Sequence, residues 1–144
     1  MEKEYHYQAE VRWTGDKKGD LHLEGKPVLG VTTPPEFGGH EGLTTPEDLF
    51  VAAAVVCLMS TFLAMGKKVK ASWNEFACRG DGKLELVPDQ GLLFTRIDLF
   101  PKVAISDERD RPAVEKALDL ARRYCLVTNS MKTEIAMHPE ITVR

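Results

Sequence analysis

The segment TTPEDLFVAAAVVCLMSTFLAM, Thr44 to Met65, constrains this chain more than any other stretch. Thr45 is a good helix N-cap, Pro46 is tolerated at the first helical position, and Glu47 and Asp48 sit where the helix dipole favours negative charge. Gly66 is a natural stop, followed by Lys67 and Lys68. The spacing predicts a helix from about Pro46 to Met65, roughly 30 Å long. It is apolar nearly all round, so it has to be covered on most sides. Ser60 and Thr61 interrupt the Leu49–Met65 run, which falls short of the roughly 20 apolar residues of a membrane span. A helix buried inside protein is expected, with no membrane partner. Cys57 stands in its middle.

A length of 144 residues suits a single domain, 1–144, able to bury one sizeable core. With 43% apolar and 28% charged residues the composition is globular. The net charge of −3 and the scattered lysines and arginines give no basic stripe, so no nucleic-acid partner is expected. The start, MEKEYHYQAE, is charged from its second residue and does not read as a secretory signal, so a cytoplasmic location is expected. Three widely spaced cysteines, Cys57, Cys78 and Cys125, do not read as a secreted disulfide framework.

Strand signals flank the helix. Tyr5, Tyr7, Ala9, Val11 and Trp13 alternate with polar residues and predict a strand with one buried face. The loop Thr14–Gly19 then leads into a second alternating run around Leu21 and Leu23, giving a hairpin, and a third strand is expected at Pro27–Val31. Thr32–Leu43, with its PPEFGG string, reads as a shaped loop. Further strands are expected at Ser72–Arg79, Lys83–Val87 and Leu92–Ile105, with Gly80-Asp81-Gly82 as the turn between the first two. An amphipathic helix over Asp107–Tyr124 and a last strand over Lys132–Val143 complete the order βββ-α-βββ-α-β, an α+β fold.

The chemistry is carried by few groups. Gly38-Gly39 lacks the spacing of a phosphate loop, and the chain has no CxxC or HExxH. The four histidines show no paired ligand spacing, so no metal is expected. A Cys–His hydrolase stays formally open, with nothing to select its histidine. Cys78 shares a strand face with Phe76 and reads as core, whereas Cys57 and Cys125 each lie on an apolar helix face as either packing or reactive thiols.

Three motifs carry a resemblance. T-T-P-E-D-L-F-V-A-A-A-V-V-C, with Glu47 ten residues before Cys57, resembles the signature of the OsmC/Ohr family of osmotically inducible and organic hydroperoxide resistance proteins. R-Y-C-L-V-T-N-S around Cys125 resembles the family's C-P-V-S-N segment, and PPEFGG resembles its P-x-E-x-G-G loop. The resemblance implies an α+β fold of antiparallel sheets wrapped around a central apolar helix, assembled as an intertwined homodimer. It implies a thiol peroxidase acting on organic hydroperoxides in oxidative stress defence. Cys57 would be the peroxidatic thiolate and Cys125 the resolving thiol that forms a disulfide with it. No resident cofactor is implied; an external dithiol reductant such as a lipoylated protein would restore the thiols.

A thiol in apolar surroundings ionises poorly, so the site needs a cation or hydrogen-bond donor beside the sulfur. Family members use an arginine held by a glutamate, which maps to Glu47. Glu47 and Cys57 are roughly 15 Å apart along one helix axis, so a second subunit is needed to bring both to one site. Two positions depart from the pattern: Lys17 stands in the first hairpin loop, where one branch has the arginine, and Leu126 replaces the proline after the second cysteine. Lys17 becomes the candidate substrate-binding residue, keeping the charge without the guanidinium fork. The alternative is a dimeric binding protein that holds an apolar small molecule with little or no peroxidase turnover.

Overall fold

The structure is a computed structural model that describes residues 3–144. Met1 and Glu2 of the charged N-terminal stretch lie outside the described residues. The chain falls into two compact units, Met1–Phe50 and Val51–Arg144.

In the first unit, β1 (Glu10–Gly15), β2 (Lys18–His22) and β3 (Leu29–Thr32) form an antiparallel sheet in that order. The expected loop Thr14–Gly19 is shorter: the strands run on to Gly15 and from Lys18, leaving Asp16-Lys17 at the tip, with positive φ at Gly15 (116°) and Asp16 (48°). The predicted first strand also begins late, at Glu10 rather than Tyr5. Glu10 pairs with His22, the last residue of β2, and the chain then turns at Leu23–Lys26, so nothing in the hairpin extends far enough to pair with Tyr5–Ala9. Alternation does place Val11, Trp13, Leu21 and Val31 on one face. That face is not buried as expected, for Trp13 is 78% and Tyr7 91% exposed.

The PPEFGG loop contains one 3-10 turn, Pro35–Phe37, closed by Gly38, whose φ of 87° suits glycine. A Cβ on Gly39 would overlap the Thr33 carbonyl. Thr45 then caps α1 (Pro46–Lys68): its hydroxyl accepts from the Asp48 N–H, and the Asp48 carboxylate accepts from the Thr45 N–H, both at 3.0 Å.

In the second unit α1 continues through Gly66 instead of stopping there. A Cβ on Gly66 would lie 2.6 Å from the Trp73 ring, so this glycine makes room for Trp73; the helix ends two residues later, near Lys70 (φ 59°). Ala54, Leu58, Phe62 and Gly66, four apart, form its buried stripe, and Phe62 stacks on Phe76 at 4.8 Å. At 23 residues and a mean hydropathy of 2.3, α1 is long and apolar enough to cross a membrane, which corrects the expectation from length. A core helix meets the same measure, and the buried stripe packs on a sheet.

That sheet consists of β4 (Glu75–Val87), β5 (Gly91–Ile105), β6 (Glu134–Met137) and β7 (Glu140–Val143). The expected turn at Gly80-Asp81-Gly82 is a strand interior: β4 runs straight through it, and the hairpin turns at Pro88–Gln90. The two glycines serve close approach, since a Cβ at Gly80 would sit 2.6 Å from Val55 Cγ1, and one at Gly82 2.6 Å from Val51 Cγ2. The sheet is mixed, not purely antiparallel. α2 (Arg111–Tyr124), entered through a 3-10 turn at Glu108–Asp110, carries the chain back so that β6 and β7 pair with β5 in parallel. The predicted last strand splits at His138-Pro139, yet both halves keep one register on β5, because Ile97 pairs with Ile135 and Val103 with Ile141 at the same offset. That offset sets Pro101 beside Pro139, and neither has an N–H for the ladder. Ile97, Leu99, Val103, Ile105, Val114, Leu118 and Cys125 are fully or almost fully buried in this unit.

Candidate functional site

The second unit brings Cys57 and Cys125 together. Cys57 is half-buried on α1, and Cys125 is fully buried at the end of α2. Cys125 leaves the helical conformation (φ −64°, ψ 104°), and the chain re-enters a single helical turn, α3 (Leu126–Asn129), which the sequence reading missed. The Cys125 carbonyl accepts from the Asn129 N–H at 2.9 Å and the Thr128 hydroxyl at 3.3 Å, locking this corner. The start of α3 then lies against the Cys57 sulfur.

Burial opposes ionisation of the Cys57 thiol, but hydrogen bonds with the Val127 backbone N–H, the Cys125 side chain, Thr61 and the Leu126 backbone N–H outweigh it, and its pKa lies below the ordinary thiol value. Two of the groups that meet the need for donors beside the sulfur are thus backbone N–H groups. No side-chain pattern could reveal them; the only signal was that Leu126 and Val127 follow Cys125 directly. Cys78 behaves in the opposite way: burial pushes its thiol up, offset only in part by the Phe100 backbone. Cys78 is only half-buried, however, and does not belong to the fully buried core that the sequence reading expected for it. Among the described residues no group of three or more His, Cys, Asp or Glu side chains could hold a metal ion.

Glu47 and Lys17 belong to the first unit. Glu47 Oε1 is buried and has no hydrogen-bond partner among the described residues. Buried carboxylate oxygens are ordinarily hydrogen-bonded, which sets this one apart. Lys17 sits at the exposed hairpin tip, and its Nζ donates to the Phe37 carbonyl at 3.3 Å. The tip is clamped: the Thr32 hydroxyl donates to the Lys17 carbonyl at 3.1 Å, and His40 Nε2 lies 2.7 Å from Asp16 Oδ2. The hydrogen bond with His40 holds the Asp16 carboxyl below its usual range. Lys17 also borders an apolar groove of about 440 Å³ lined by Val11, Trp13, Leu21, Val31 and Leu49.

The fold and the paired thiols define a small α+β protein with a two-cysteine centre. The chain belongs to the family of OsmC-like proteins, whose family model matches residues 38–140. It is similar to an OsmC-like protein of unknown function from Vibrio cholerae O1 biovar eltor, at 22% identity and TM-score 0.85 over 94% of this chain and 99% of that one. It is also similar to an organic hydroperoxide resistance protein OsmC from Legionella pneumophila, at 22% identity and TM-score 0.74 over 99% of this chain and 100% of that one. Among curated proteins it resembles the uncharacterized protein YmaD of Bacillus subtilis (strain 168), 18% identical over 98% of this chain and 96% of the relative.

Proposed function

We propose that this chain is a thiol-dependent peroxidase that reduces organic hydroperoxides to alcohols. The observation that carries the reading is that the half-buried Cys57 has the buried Cys125 side chain as its hydrogen-bonding neighbour, an arrangement in which the Cys57 thiol is held below its ordinary value. Membership of the OsmC-like family and fold neighbours named organic hydroperoxide resistance proteins support it.

In the first step the Cys57 thiolate attacks the terminal peroxide oxygen. The S–O bond forms as the O–O bond breaks, the alkoxide leaves and takes a proton to become the alcohol, and Cys57 is left as a sulfenic acid. In the second step the Cys125 thiol displaces hydroxide from that sulfur, giving a Cys57–Cys125 disulfide and water. An external dithiol supplies the two electrons that restore both thiols, and a reducing cytoplasm is the compartment this cycle suits. The reading includes a homodimer. Val56, Met59 and Leu63 are exposed on α1, and the orphaned Glu47 oxygen awaits a donor, so a second copy gives both a partner. Lys17 is the candidate contact for substrate.

The test is turnover of an alkyl hydroperoxide with a dithiol by the protein and by Cys57→Ser. The expected result is loss of turnover in the variant together with a peroxide-induced disulfide in the parent, seen as a mass loss of two hydrogens. Equal rates would overturn the reading. The apolar groove beside Lys17 favours a second reading, a binding protein for an apolar small molecule; peroxide treatment would then give no Cys57–Cys125 disulfide.

A further inference from the structure

We propose that the reductant enters the cycle at Cys57 and not at Cys125: an external thiol attacks the Cys57 sulfur of the disulfide, and Cys125 is the group that leaves. The inference rests on the disulfide of the reading above and names which of its two sulfurs the reducing partner meets.

The two sulfurs differ in access. Cys125 is 0% exposed and is flanked along the chain by the buried Ala121 and Thr128, whereas Cys57 keeps part of its surface. The chain on both sides of Cys125 is also tied down. The Cys125 carbonyl accepts from the Asn129 N–H at 2.9 Å, the Arg123 carbonyl accepts from Asn129 Nδ2 at 2.9 Å, and the Leu126 carbonyl accepts from the Ser130 hydroxyl at 2.8 Å. Association with a second copy covers surface and exposes none, so Cys125 stays out of reach in a dimer as well. Reaching it needs this corner to open, and the core of a stable domain is open in about one molecule in 10³ or fewer.

Leaving-group chemistry pulls the other way. The Cys57 thiol, held below its ordinary value, is the readier leaving group, which favours attack on Cys125. That preference acts only on a sulfur the attacking thiol can touch, so access decides. In the step, one thiol of an external dithiol bonds to Cys57 Sγ and the Cys57–Cys125 bond breaks. Its electron pair goes to Cys125, which takes up the proton that the incoming thiol gives up. The second thiol then attacks the reductant's own sulfur in the mixed disulfide, closing a cyclic disulfide and returning Cys57 as a thiol with the second proton. Cys57 is thus the nucleophile toward peroxide and the electrophile toward the reductant, and both partners come to one sulfur.

The experiment uses no peroxide. Diamide forms the disulfide, the oxidised protein meets 2-mercaptoethanol briefly, acid stops the exchange, and non-reducing peptide mass spectrometry locates the mixed disulfide. The adduct on Cys57 should exceed that on Cys125 by at least about tenfold, and in guanidinium chloride, where neither sulfur is buried, the two should agree within about twofold. An adduct mainly on Cys125 in the folded protein would overturn the proposal. So would a preference for Cys57 that survives unfolding, since burial is then not its cause, or a failure of diamide to join the two cysteines. Access is also measured directly with glutathione disulfide on the reduced variants: Cys125→Ser should take glutathione on Cys57, whereas folded Cys57→Ser should take none on Cys125. Labelling of Cys125 in that folded variant overturns the proposal. Neither readout involves hydroperoxide turnover, so a chain that fails as a peroxidase can still pass this test, and the reverse.

Discussion

Gly80 on β4 lies against Val55 on α1 with no room for a methyl group between them, since a Cβ there would fall 2.6 Å from Val55 Cγ1. Helix and strand meet at this point through a missing side chain. Gly80→Ala should therefore destabilise the protein by about 1–3 kcal/mol, as overpacking does. Urea denaturation checks it, and Val55→Ala in the same chain should recover part of the loss because the two sites are in contact.

The reciprocal bonds between Thr45 and Asp48 fix where α1 begins. Thr45→Ala should cost about 1 kcal/mol, whereas Thr45→Ser, which keeps the oxygen, should cost only a few tenths. Thermal melting of the two variants side by side tests the difference.

Cys57 and Cys78 should separate by pH. Cys57, held below the ordinary thiol value, should be alkylated at lower pH than Cys78, which burial pushes above it. The two also pull stability in opposite directions. The depressed pKa of Cys57 contributes stability present above the unfolded thiol's pKa and lost as pH falls through the folded value. The raised pKa of Cys78 contributes stability present below the unfolded pKa and lost as pH rises through the folded one. Under reducing conditions Cys57→Ser should thus remove a rise of stability with pH, and Cys78→Ser should remove a fall; denaturation midpoints across the alkaline range measure both.

Thr61→Val should raise the midpoint of Cys57 alkylation, because the Thr61 hydroxyl, 3.9 Å from the sulfur, is among the groups that hold this thiol below its ordinary value. A profile equal to the parent's would show that the hydroxyl proton serves only the Cys57 carbonyl, 2.7 Å away.

Val56, Met59 and Leu63 leave one side of α1 exposed in the single chain. If a second copy covers it, sedimentation should give twice the chain mass, and Leu63→Glu should shift the protein to monomer by placing a charge in that contact.

Much of this was legible in the sequence, for identifiable reasons. The start of α1 was readable because Thr45, Pro46, Glu47 and Asp48 each have a separate local preference for their positions. The meeting of Cys57 with Cys125 was legible only through resemblance, since spacing alone says nothing of two residues on different helices. Gly66, Gly80 and Gly82 misled because glycine signals both chain reversal and close approach, and here Trp73, Val55 and Val51 decide between the two. The alternation from Tyr5 was real, but a strand needs a partner as long as itself, and β2 ends opposite Glu10. The backbone groups beside the Cys57 sulfur were invisible because every residue but proline carries an N–H and only the fold says where it points.

The shared register of β6 and β7 makes the His138-Pro139 break a phase-locked joint. Ile135 and Met137 before it, and Ile141 and Val143 after it, stay aligned with the inward residues of β5 only while the count between them is kept. Adding one residue at the joint would turn Ile141 and Val143 to the opposite side of the sheet, whereas adding two would restore their side. The joint therefore tolerates even changes of length and rejects odd ones, a parity rule set by the alternation of side chains along the two strands it connects.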